Sequence, residues 1–406
     1  MRLAIFHPGF ETLGGAELLA ASEALFYQDQ GLRPELVTLS FNEARWRSKL
    51  PGIPVKVVAK RHWTDLFQAW NRMGKLVSRG RRAAEALKDY DLVVAHNFPA
   101  STMLGAADIP ARKIWQCNEP PRGIHRRQAN PNLDARSRAL TGPPLEDATR
   151  AFLPDAQKHD RWMARNSVQR ARRDYDLAAA ARLDLIYAIS EFSRDNARAI
   201  YGRCAEEVVY PIVRFPEGGR TRRGLERSVR RILVHSRLEI LKNVDTVIRG
   251  FALFAKASPV PCELHVVGEG PRKEDLQKLA EELCPGAATF HGFLPTEDLR
   301  AVYEACDVFA LLTLDEPFGM VYPEAAAKGL LLVGPDHGGP LEILDGGRLG
   351  WAVDAFSPEA LCQALEEIWS LDDEEAERRR QAADTACRAR FSLEAVGPKL
   401  LRVLQR

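Results

Sequence analysis

DVFALLTLDEPFGMVYPEAAAKGLLLVG, residues 307–334, contains one full repeat of the pattern from which this chain is built. An apolar run over 307–312 leads into a turn around Gly319, and a helical pattern follows. A second apolar run occupies 330–334. Continuous apolar runs joined by helices are typical of parallel strands in a sheet that is covered on both faces. The stretch therefore predicts a strand–helix–strand unit of an α/β protein.

The same alternation extends over nearly the whole chain. It stops at residues 211–230, which are rich in Pro, Gly and Arg and have no apolar periodicity, and then begins again. Six runs precede this segment and six follow it: LAIFH (3–7), ELVTL (35–39), VKVVA (55–59), DLVVAH (91–96), RKIWQC (112–117), LDLIYAIS (183–190), RILVH (231–235), ELHVV (263–267), ATFHG (288–292), DVFALL (307–312), LLLVG (330–334) and GWAVD (350–354). The pattern predicts two doubly wound parallel sheets.

These breaks also predict the domain organisation. We expect a first domain over 1–210, a linker over 211–230, a second domain over 231–390, and a C-terminal helix over 391–406 that packs back on the first domain. Residues 121–176 interrupt the first domain with 12 Lys or Arg and 7 Asp or Glu. We interpret this segment as an insertion, a loop followed by an Arg-rich helix. The helix presents either a solvated face or a contact for an acceptor or membrane.

Composition excludes several classes of protein. The 57 Lys and Arg nearly balance the 55 Asp and Glu, so a dedicated nucleic-acid binder is not expected. A hydrophobic content of 46% argues against a disordered chain. No apolar run approaches the length of about 20 residues that spans a bilayer, and the first is too short for the core of a signal peptide. The 7 cysteines form no CxxC pair, so we expect reduced core residues.

The turn inside the opening stretch is a candidate anion site. Pro323 fits only the first turn of a helix, so the helix should begin between Gly319 and Tyr322. The backbone N–H groups of residues 318–321 would then lie at a helix N-terminus, which favours phosphate. Glu316 precedes this turn and Glu324 follows it, so two carboxylates could accept hydrogen bonds from sugar hydroxyls on either side of a diphosphate.

Two glutamates in the arrangement EPFGMVYPE (316–324) resemble the signature of retaining glycosyltransferase family 4, which has the GT-B fold. Other pieces agree in order and spacing: HPGFETLGGAE (7–17), DLVVAH (91–96), YAISEFSRDNARAIYG (187–202), HSRLEILKN (235–243), VVGEGP (266–271), FHGFLP (290–295) and DHGGPLEIL (336–344). The resemblance covers nearly the whole chain except 121–176. It implies two Rossmann-like domains that face a central cleft.

The resemblance implies roles for four charged residues. Glu324 should bind the ribose hydroxyls of the nucleotide, and Glu316 the hydroxyls of the transferred sugar near the reacting carbon. Arg237 and Lys242 should hold the diphosphate. Their chemistry suits this task, because two cations after a strand can neutralise charge on a departing nucleoside diphosphate, although ordinary surface cations would look the same.

The remaining expected contacts to the nucleotide sugar are glycines, one aromatic residue and the backbone of the anion-binding turn. They are Gly14, Gly15, Gly268, Phe293, Phe318, Gly319, Met320 and Val321. Glycine-rich turns between a strand and a helix suit a phosphate or sugar. A dinucleotide GxGxxG fingerprint is absent, which disfavours an oxidoreductase.

The acceptor side is less determined. His96 ends a predicted strand and should point toward the cleft, where the resemblance implies a histidine beside the donor sugar; a structural histidine is the alternative. His7 is either structural or lines the acceptor side. Asn118 and Glu119 stand where many relatives have a histidine nearby, so they and Arg122 are acceptor-side candidates only.

No metal is expected. The two DxD pairs, Asp89 with Asp91 and Asp174 with Asp176, fall at helix-to-strand and helical positions, and we interpret them as solvated or capping residues. The resemblance also implies no essential metal and no cofactor, because the two cations and the helix N-terminus neutralise the diphosphate.

A basic segment with an aromatic stripe is a candidate membrane contact. Residues 41–90 carry 12 Lys or Arg and 4 Asp or Glu. Trp63, Phe67 and Trp70 recur at helical spacing within the segment 60–82. Aromatic anchors with flanking cations are typical of an interfacial helix, but the same spacing is found in any packed helix.

The sequence therefore predicts a retaining, metal-independent hexosyltransferase. Its donor is a nucleotide-diphosphate sugar, with GDP-mannose slightly favoured over a UDP-sugar, and its acceptor is a glycan or a lipid-linked glycan. We expect a cytoplasmic protein, at the inner membrane face if the stripe meets lipid. The alternatives are a GT-B sugar-nucleotide epimerase or phosphorylase, or a degenerate module that only binds a nucleotide sugar.

Overall fold

The computed structural model divides the chain into two compact units. It describes residues 1–58, 72–121, 124–125, 166–215 and 224–405. The first unit contains the described residues up to 212 together with 396–405, and the second contains 213–215 and 224–395. The Trp63–Trp70 stripe and most of the 121–176 insertion lie outside the described residues.

The first unit is a six-stranded parallel sheet flanked by helices. Its strands are β1 (Leu3–His7), β2 (Pro34–Thr38), β3 (Val55–Val57), β4 (Leu92–His96), β5 (Arg112–Cys117) and β6 (Leu185–Ala188). Its helices are α1 (Gly15–Asp29), α2 (Glu43–Trp46), α3 (Arg72–Leu87), α4 (Ala100–Ala106), α5 (Ser167–Ala181) and α6 (Glu191–Tyr201). The strand order is β3-β2-β1-β4-β5-β6, which is that of a doubly wound sheet.

The second unit repeats this topology. Its strands are β7 (Arg230–His235), β8 (Cys262–Val267), β9 (Ala288–Gly292), β10 (Val308–Ala310), β11 (Leu331–Pro335) and β12 (Trp351–Val353). Its helices are α7 (Val244–Ala257), α8 (Lys273–Leu283), α9 (Thr296–Ala305), α10 (Val321–Ala327), α11 (Gly338–Ile343), α12 (Pro358–Ser370) and α13 (Asp373–Phe391). The order β12-β11-β10-β7-β8-β9 again places the first strand beside the fourth.

Each of the twelve apolar runs overlaps a parallel strand, so the predicted α/β class is confirmed. Successive side chains of a strand point to opposite faces of the sheet, so one sheet can pack against a separate hydrophobic core on each face. Leu3 and Ile5 of β1 pack into one buried cluster, whereas Ala4 and Phe6 pack into a second. Both faces of the sheet are therefore covered.

The last helix, α14 (Leu393–Gln405), belongs to the first unit from residue 396 onward. Val396, Leu400 and Val403 are buried in the same cluster as Phe26 and Tyr27 of α1. Arg112 secures the end of this helix by donating a 2.7 Å hydrogen bond to the Leu404 carbonyl. Within the described ranges, no helix combines the length and apolar character needed to cross a membrane.

In each sheet, the crossover connections lead away in opposite directions from one boundary between two neighbouring strands. This strand reversal lies between β1 and β4 in the first unit and between β7 and β10 in the second. Ligands of open α/β sheets bind in the crevice outside the carboxyl ends of the strands at this position. The topology therefore selects the residues after these four strands as candidates.

Candidate active site

In the second unit, the candidate residues follow the two strands at the reversal. Strand β7 pairs with β10 and ends at His235, and Arg237 and Lys242 follow it. Lys242 closes a 3-10 turn, Ile240–Lys242. Glu316 lies in the loop after β10. The fold thus brings to one edge charged residues more than 70 positions apart in sequence.

Lys242 and Glu316 are in direct contact. The Lys242 ammonium donates a 2.5 Å hydrogen bond to Glu316 Oε2, and both side chains are largely buried. The Leu314 N–H, which donates to the Leu241 carbonyl at 2.9 Å, ties the two loops together. A charged pair at this edge supplies one group that attracts a diphosphate and one that accepts hydrogen bonds from hydroxyls.

Asn243 holds this geometry, and the sequence analysis assigned it no role. Its φ of 53° is left-handed, a conformation that asparagine tolerates better than most residues. Its amide nitrogen donates to the carbonyls of Leu312 at 2.8 Å and Ala355 at 2.6 Å. The turn that carries Lys242 is thereby attached to the segment that follows β10.

Arg237 is held differently. Its guanidinium forms a 2.6 Å ion pair with Glu239 and is mostly exposed. The adjacent backbone is packed against the loop of Gly268, where a Cβ would lie 1.8 Å from the Ser236 carbonyl oxygen. Gly268 also has a φ of +130°. It is therefore required for packing beside Arg237, whatever it contacts in a ligand.

The loop that carries Glu316 is packed by glycines. The Gly339 N–H donates to the Glu316 carbonyl at 2.9 Å, and a Cβ on Gly339 would lie 2.3 Å from the Pro317 carbonyl oxygen. Gly319 itself has a φ of +96°, which favours glycine. Helix α10 begins at Val321, within the predicted interval, and its Pro323 lies in the first turn.

Glu324 lies about one turn inside α10. Burial raises the pKa of its carboxyl, and the nearby Lys328 opposes this shift. Phe293 follows β9, the edge strand of this sheet, and the residue is 73% exposed. An exposed aromatic ring after a strand offers a stacking surface.

In the first unit, the glycine turn precedes α1. Gly14 is the N-cap residue of this helix and Gly15 its first residue. Gly14 does not have a positive φ, and a Cβ there would meet only the flexible Glu17 side chain. A Cβ on Gly15 would meet nothing within 4 Å. The space beside this turn is open, as a turn that receives a ligand requires.

The two histidines at the reversal in the first unit, His7 and His96, are buried. His96 is 0% exposed, and its Nε2 lies 3.5 Å from Glu23 Oε2 of α1. Its ring centroid is 6.4 Å from that of His7. Burial lowers the pKa of His7 to about 4 and that of His96 well below its usual value. Among the described residues, neither ring nitrogen of His96 has a hydrogen-bond partner, and the catalytic role of His96 stays a prediction.

Glu23 was not identified from the sequence. It is a fully buried carboxyl whose Oε1 accepts a 2.5 Å hydrogen bond from the Gln116 amide. Burial raises its pKa to about 8. The signal in the sequence is a single acidic residue within an apolar stretch of α1, AASEALF, which is also what a solvent-facing glutamate produces.

The acceptor-side candidates are only partly described. Asn118 is buried after β5, and its carbonyl accepts a 2.5 Å hydrogen bond from the Ser193 hydroxyl. Glu119 is half-buried next to it. Arg122 lies outside the described residues.

Asp176 is a correction, because the structure buries a residue expected to be solvated. Its carboxylate accepts hydrogen bonds from His125 at 2.7 Å and from Tyr201 at 2.8 Å, and a third from Thr102. The three donors come from different segments, so Asp176 joins α4, α5 and α6 to the start of the insertion. Among the described residues, no group of three or more His, Cys, Asp or Glu is arranged to hold a metal ion.

Comparison with known proteins places this geometry in a family. The family described as glycosyl transferases group 1 matches residues 221–386. D-inositol 3-phosphate glycosyltransferase of Corynebacterium urealyticum is 31% identical over 198 residues, 47% of this chain and 46% of its own length. GDP-mannose-dependent alpha-(1-6)-phosphatidylinositol monomannoside mannosyltransferase of Mycolicibacterium smegmatis is 34% identical over 158 residues, 36% of this chain and 39% of its own. The chain thus spans about half the length of the curated relatives it matches, or less.

Residues 221–386 belong to the glycosyl transferases group 1 family.

The resemblance found in the sequence is thereby confirmed at the level of glycosyl transferases group 1. The fold agrees: HepE of Anabaena, solved with UDP and glucose, superposes over all of both chains with a TM-score of 0.72 at 18% identity. Such a likeness shows the GT-B fold alone. The group 1 segment contains Arg237, Lys242, Glu316 and Glu324, so the charged edge described above lies inside the matched region.

Proposed function

We propose that this protein is a retaining glycosyltransferase of family 4 that moves a hexose from a nucleotide-diphosphate sugar to a glycan or lipid-linked acceptor. The observation that carries the proposal is the Lys242–Glu316 pair, at the strand reversal of the group 1 segment. Mannose from GDP-mannose is favoured because the relative in Mycolicibacterium smegmatis is a GDP-mannose-dependent mannosyltransferase, whereas HepE was solved with UDP.

The residues at this edge suit the reaction. The bond between the anomeric carbon and the diphosphate oxygen breaks, the acceptor oxygen bonds to that carbon, and the proton of the acceptor hydroxyl passes to the departing diphosphate. Lys242 and Arg237 would neutralise the charge that grows on the leaving diphosphate. Glu316 would accept hydrogen bonds from the hydroxyls of the sugar, and Glu324 from those of the ribose.

The contact between Lys242 and Glu316 is also what we expect of the site before a donor binds. When a diphosphate binds, Lys242 gains an anionic partner, and Glu316 is then available to sugar hydroxyls.

We further propose that the enzyme needs no metal, because fixed cations act on the diphosphate. A cytoplasmic location, with membrane contact through residues 60–82, belongs to this proposal and suits a lipid-linked acceptor.

The test is release of nucleoside diphosphate from a panel that includes GDP-mannose, UDP-glucose and UDP-N-acetylglucosamine, with a saccharide or lipid-linked acceptor present. We expect release with one donor and its strong reduction in Lys242→Met. A matched control is Lys278→Met, since Lys278 is exposed on α8. Conversion of the sugar without transfer would indicate an epimerase, and binding without turnover would indicate a degenerate module.

A further inference from the structure

The loop that carries Glu316 receives a hydrogen bond from a histidine side chain, that of His337. His337 follows β11 and is the N-cap residue of α11, but its side chain makes no capping hydrogen bond to that helix. The ring instead meets the loop after β10, where its Nε2 lies 2.9 Å from the carbonyl oxygen of Leu314. Its Nδ1 lies 3.2 Å from Oδ1 of the neighbouring Asp336. The ring thus connects the residues after β11 to those after β10.

The contact between His337 and Leu314 has only one possible direction. A carbonyl oxygen can only accept a hydrogen bond, so Nε2 of His337 must carry a proton and donate it. Leu314 is 0% exposed, and a buried carbonyl that loses its donor is destabilised. The N–H of Leu314 donates at 2.9 Å to the carbonyl of Leu241, next to Lys242. Leu314 is therefore held on one side by the Lys242 turn and on the other by His337.

Two glycines beside His337 pack on the same loop. The Gly339 N–H donates to the Glu316 carbonyl at 2.9 Å. A Cβ on Gly338 would lie 3.0 Å from that carbonyl oxygen. This segment therefore contacts the loop at Leu314 and again at Glu316. The backbone on which the Glu316 carboxylate is mounted is fixed from both contacts.

We propose that His337 is a positioning residue that sets where the Glu316 carboxylate lies during transfer. The inference rests on the proposed function, in which Glu316 accepts hydrogen bonds from the hydroxyls of the transferred sugar. The hydrogen bonds of Leu314 fix this carboxylate relative to the ammonium of Lys242. A group displaced by about 1 Å can slow a reaction by about a hundredfold. His337 acts through the backbone and needs no contact with the donor.

Three replacements of His337 separate its hydrogen bond from its bulk. In His337→Gln the amide nitrogen is at the ε position and can donate to the Leu314 carbonyl. In His337→Asn the amide nitrogen is at the δ position, on the side of Asp336. His337→Phe keeps an aromatic ring without a donor. We expect Gln to resemble the wild type, and Asn and Phe to resemble each other. Two variants lack the donor, so the loss of one to misfolding leaves the comparison intact.

The first measurement is hydrogen exchange by mass spectrometry on the full-length protein without a donor, read on peptides that cover 312–318. Exchange in this loop should become faster by about tenfold in His337→Asn and His337→Phe, because a buried hydrogen bond is lost. In His337→Gln it should stay near the wild-type rate. Peptides that cover α8 serve as the internal control and should exchange alike in all four proteins.

The second measurement is steady-state transfer from the donor that the nucleotide panel identifies. His337→Asn and His337→Phe should lower kcat by about ten- to a hundredfold, whereas their affinities for UDP and GDP, measured by isothermal titration, should stay within about twofold of the wild type. His337→Gln should retain most of kcat. In a Glu316→Ala background, His337→Asn should lower kcat no further, because His337 acts through Glu316.

The outcomes separate this inference from the proposed function. If no donor is turned over, or if Glu316→Ala transfers with the wild-type kcat, the proposed role of Glu316 is wrong and the inference fails with it. If Glu316→Ala lowers kcat while His337→Asn does not, the inference alone is wrong. A lower kcat in His337→Asn without faster loop exchange would also overturn it. So would an equal loss of kcat in all three His337 variants, since that is the effect of lost packing.

Discussion

The buried carboxyl of Glu23 makes the stability of the first unit depend on pH in a direction opposite to that of most acidic residues. In the unfolded chain Glu23 ionises near its ordinary pKa of 4.5, whereas in the folded protein it keeps its proton up to about pH 8. Between these values the folded state binds one more proton than the unfolded state. The free energy of unfolding should therefore fall by about 1.4 kcal/mol for each pH unit as pH rises.

The neighbouring histidines, His7 and His96, change the free energy of unfolding over a different pH range. The lowered pKa values of His7 and His96 mean that the unfolded chain binds more protons than the folded one below about pH 6.5. Their contribution to stability therefore rises with pH up to this point and is then constant. Between pH 6.5 and 8 the Glu23 effect stands alone in this cluster, and it should amount to about 2 kcal/mol.

The perturbation is Glu23→Gln, which retains a similar shape and removes the titration. Native-state hydrogen exchange, read by mass spectrometry on peptides covering β4 and β5 and corrected for intrinsic rates, measures the local free energy of opening. We expect the difference between wild type and variant to change by about 2 kcal/mol from pH 6.5 to 8. Peptides covering β8 in the second unit serve as the internal control. Parallel pH profiles for the two proteins in β4 and β5 would refute the reasoning.

Three other predictions concern the proposed activity. Glu324→Ala should chiefly weaken nucleotide binding, by about tenfold or more, whereas Glu316→Ala should chiefly lower kcat; unchanged nucleotide affinity in the first would contradict its assignment. Activity should persist in excess EDTA, and its loss with rescue by Mg²⁺ or Mn²⁺ would show that a metal is essential. If Trp63, Phe67 and Trp70 meet lipid, their replacement by Ser should reduce sedimentation with anionic vesicles in a salt-dependent way. If they face the core, the same variant should unfold at lower temperature, and a variant unchanged in both assays would defeat both interpretations.

Much of the charged edge was accessible from the sequence, although not its contacts. Glu316 was named because it precedes the anion-binding turn, and Lys242 because the family resemblance implies that it holds the diphosphate. Both follow apolar runs, and the carboxyl ends of parallel strands share one edge of a sheet. That the two side chains touch depends on β10 lying beside β7, which the order of strands along the chain does not reveal. Asn243 was missed because its function is to hold two distant carbonyls.

What the sequence by itself determined is the set of elements and the family. Apolar runs of five to eight residues predicted the twelve strands found in the described part of the chain, because burial on both faces of a parallel sheet demands continuous apolar side chains. Only the tertiary structure decided the surroundings of Glu23, His96 and Asp176. Whether a polar residue on a helix or at a strand end meets water or another side chain depends on which element packs over it. That neighbour lies far away in sequence, as Gln116 does from Glu23, so no local pattern records it.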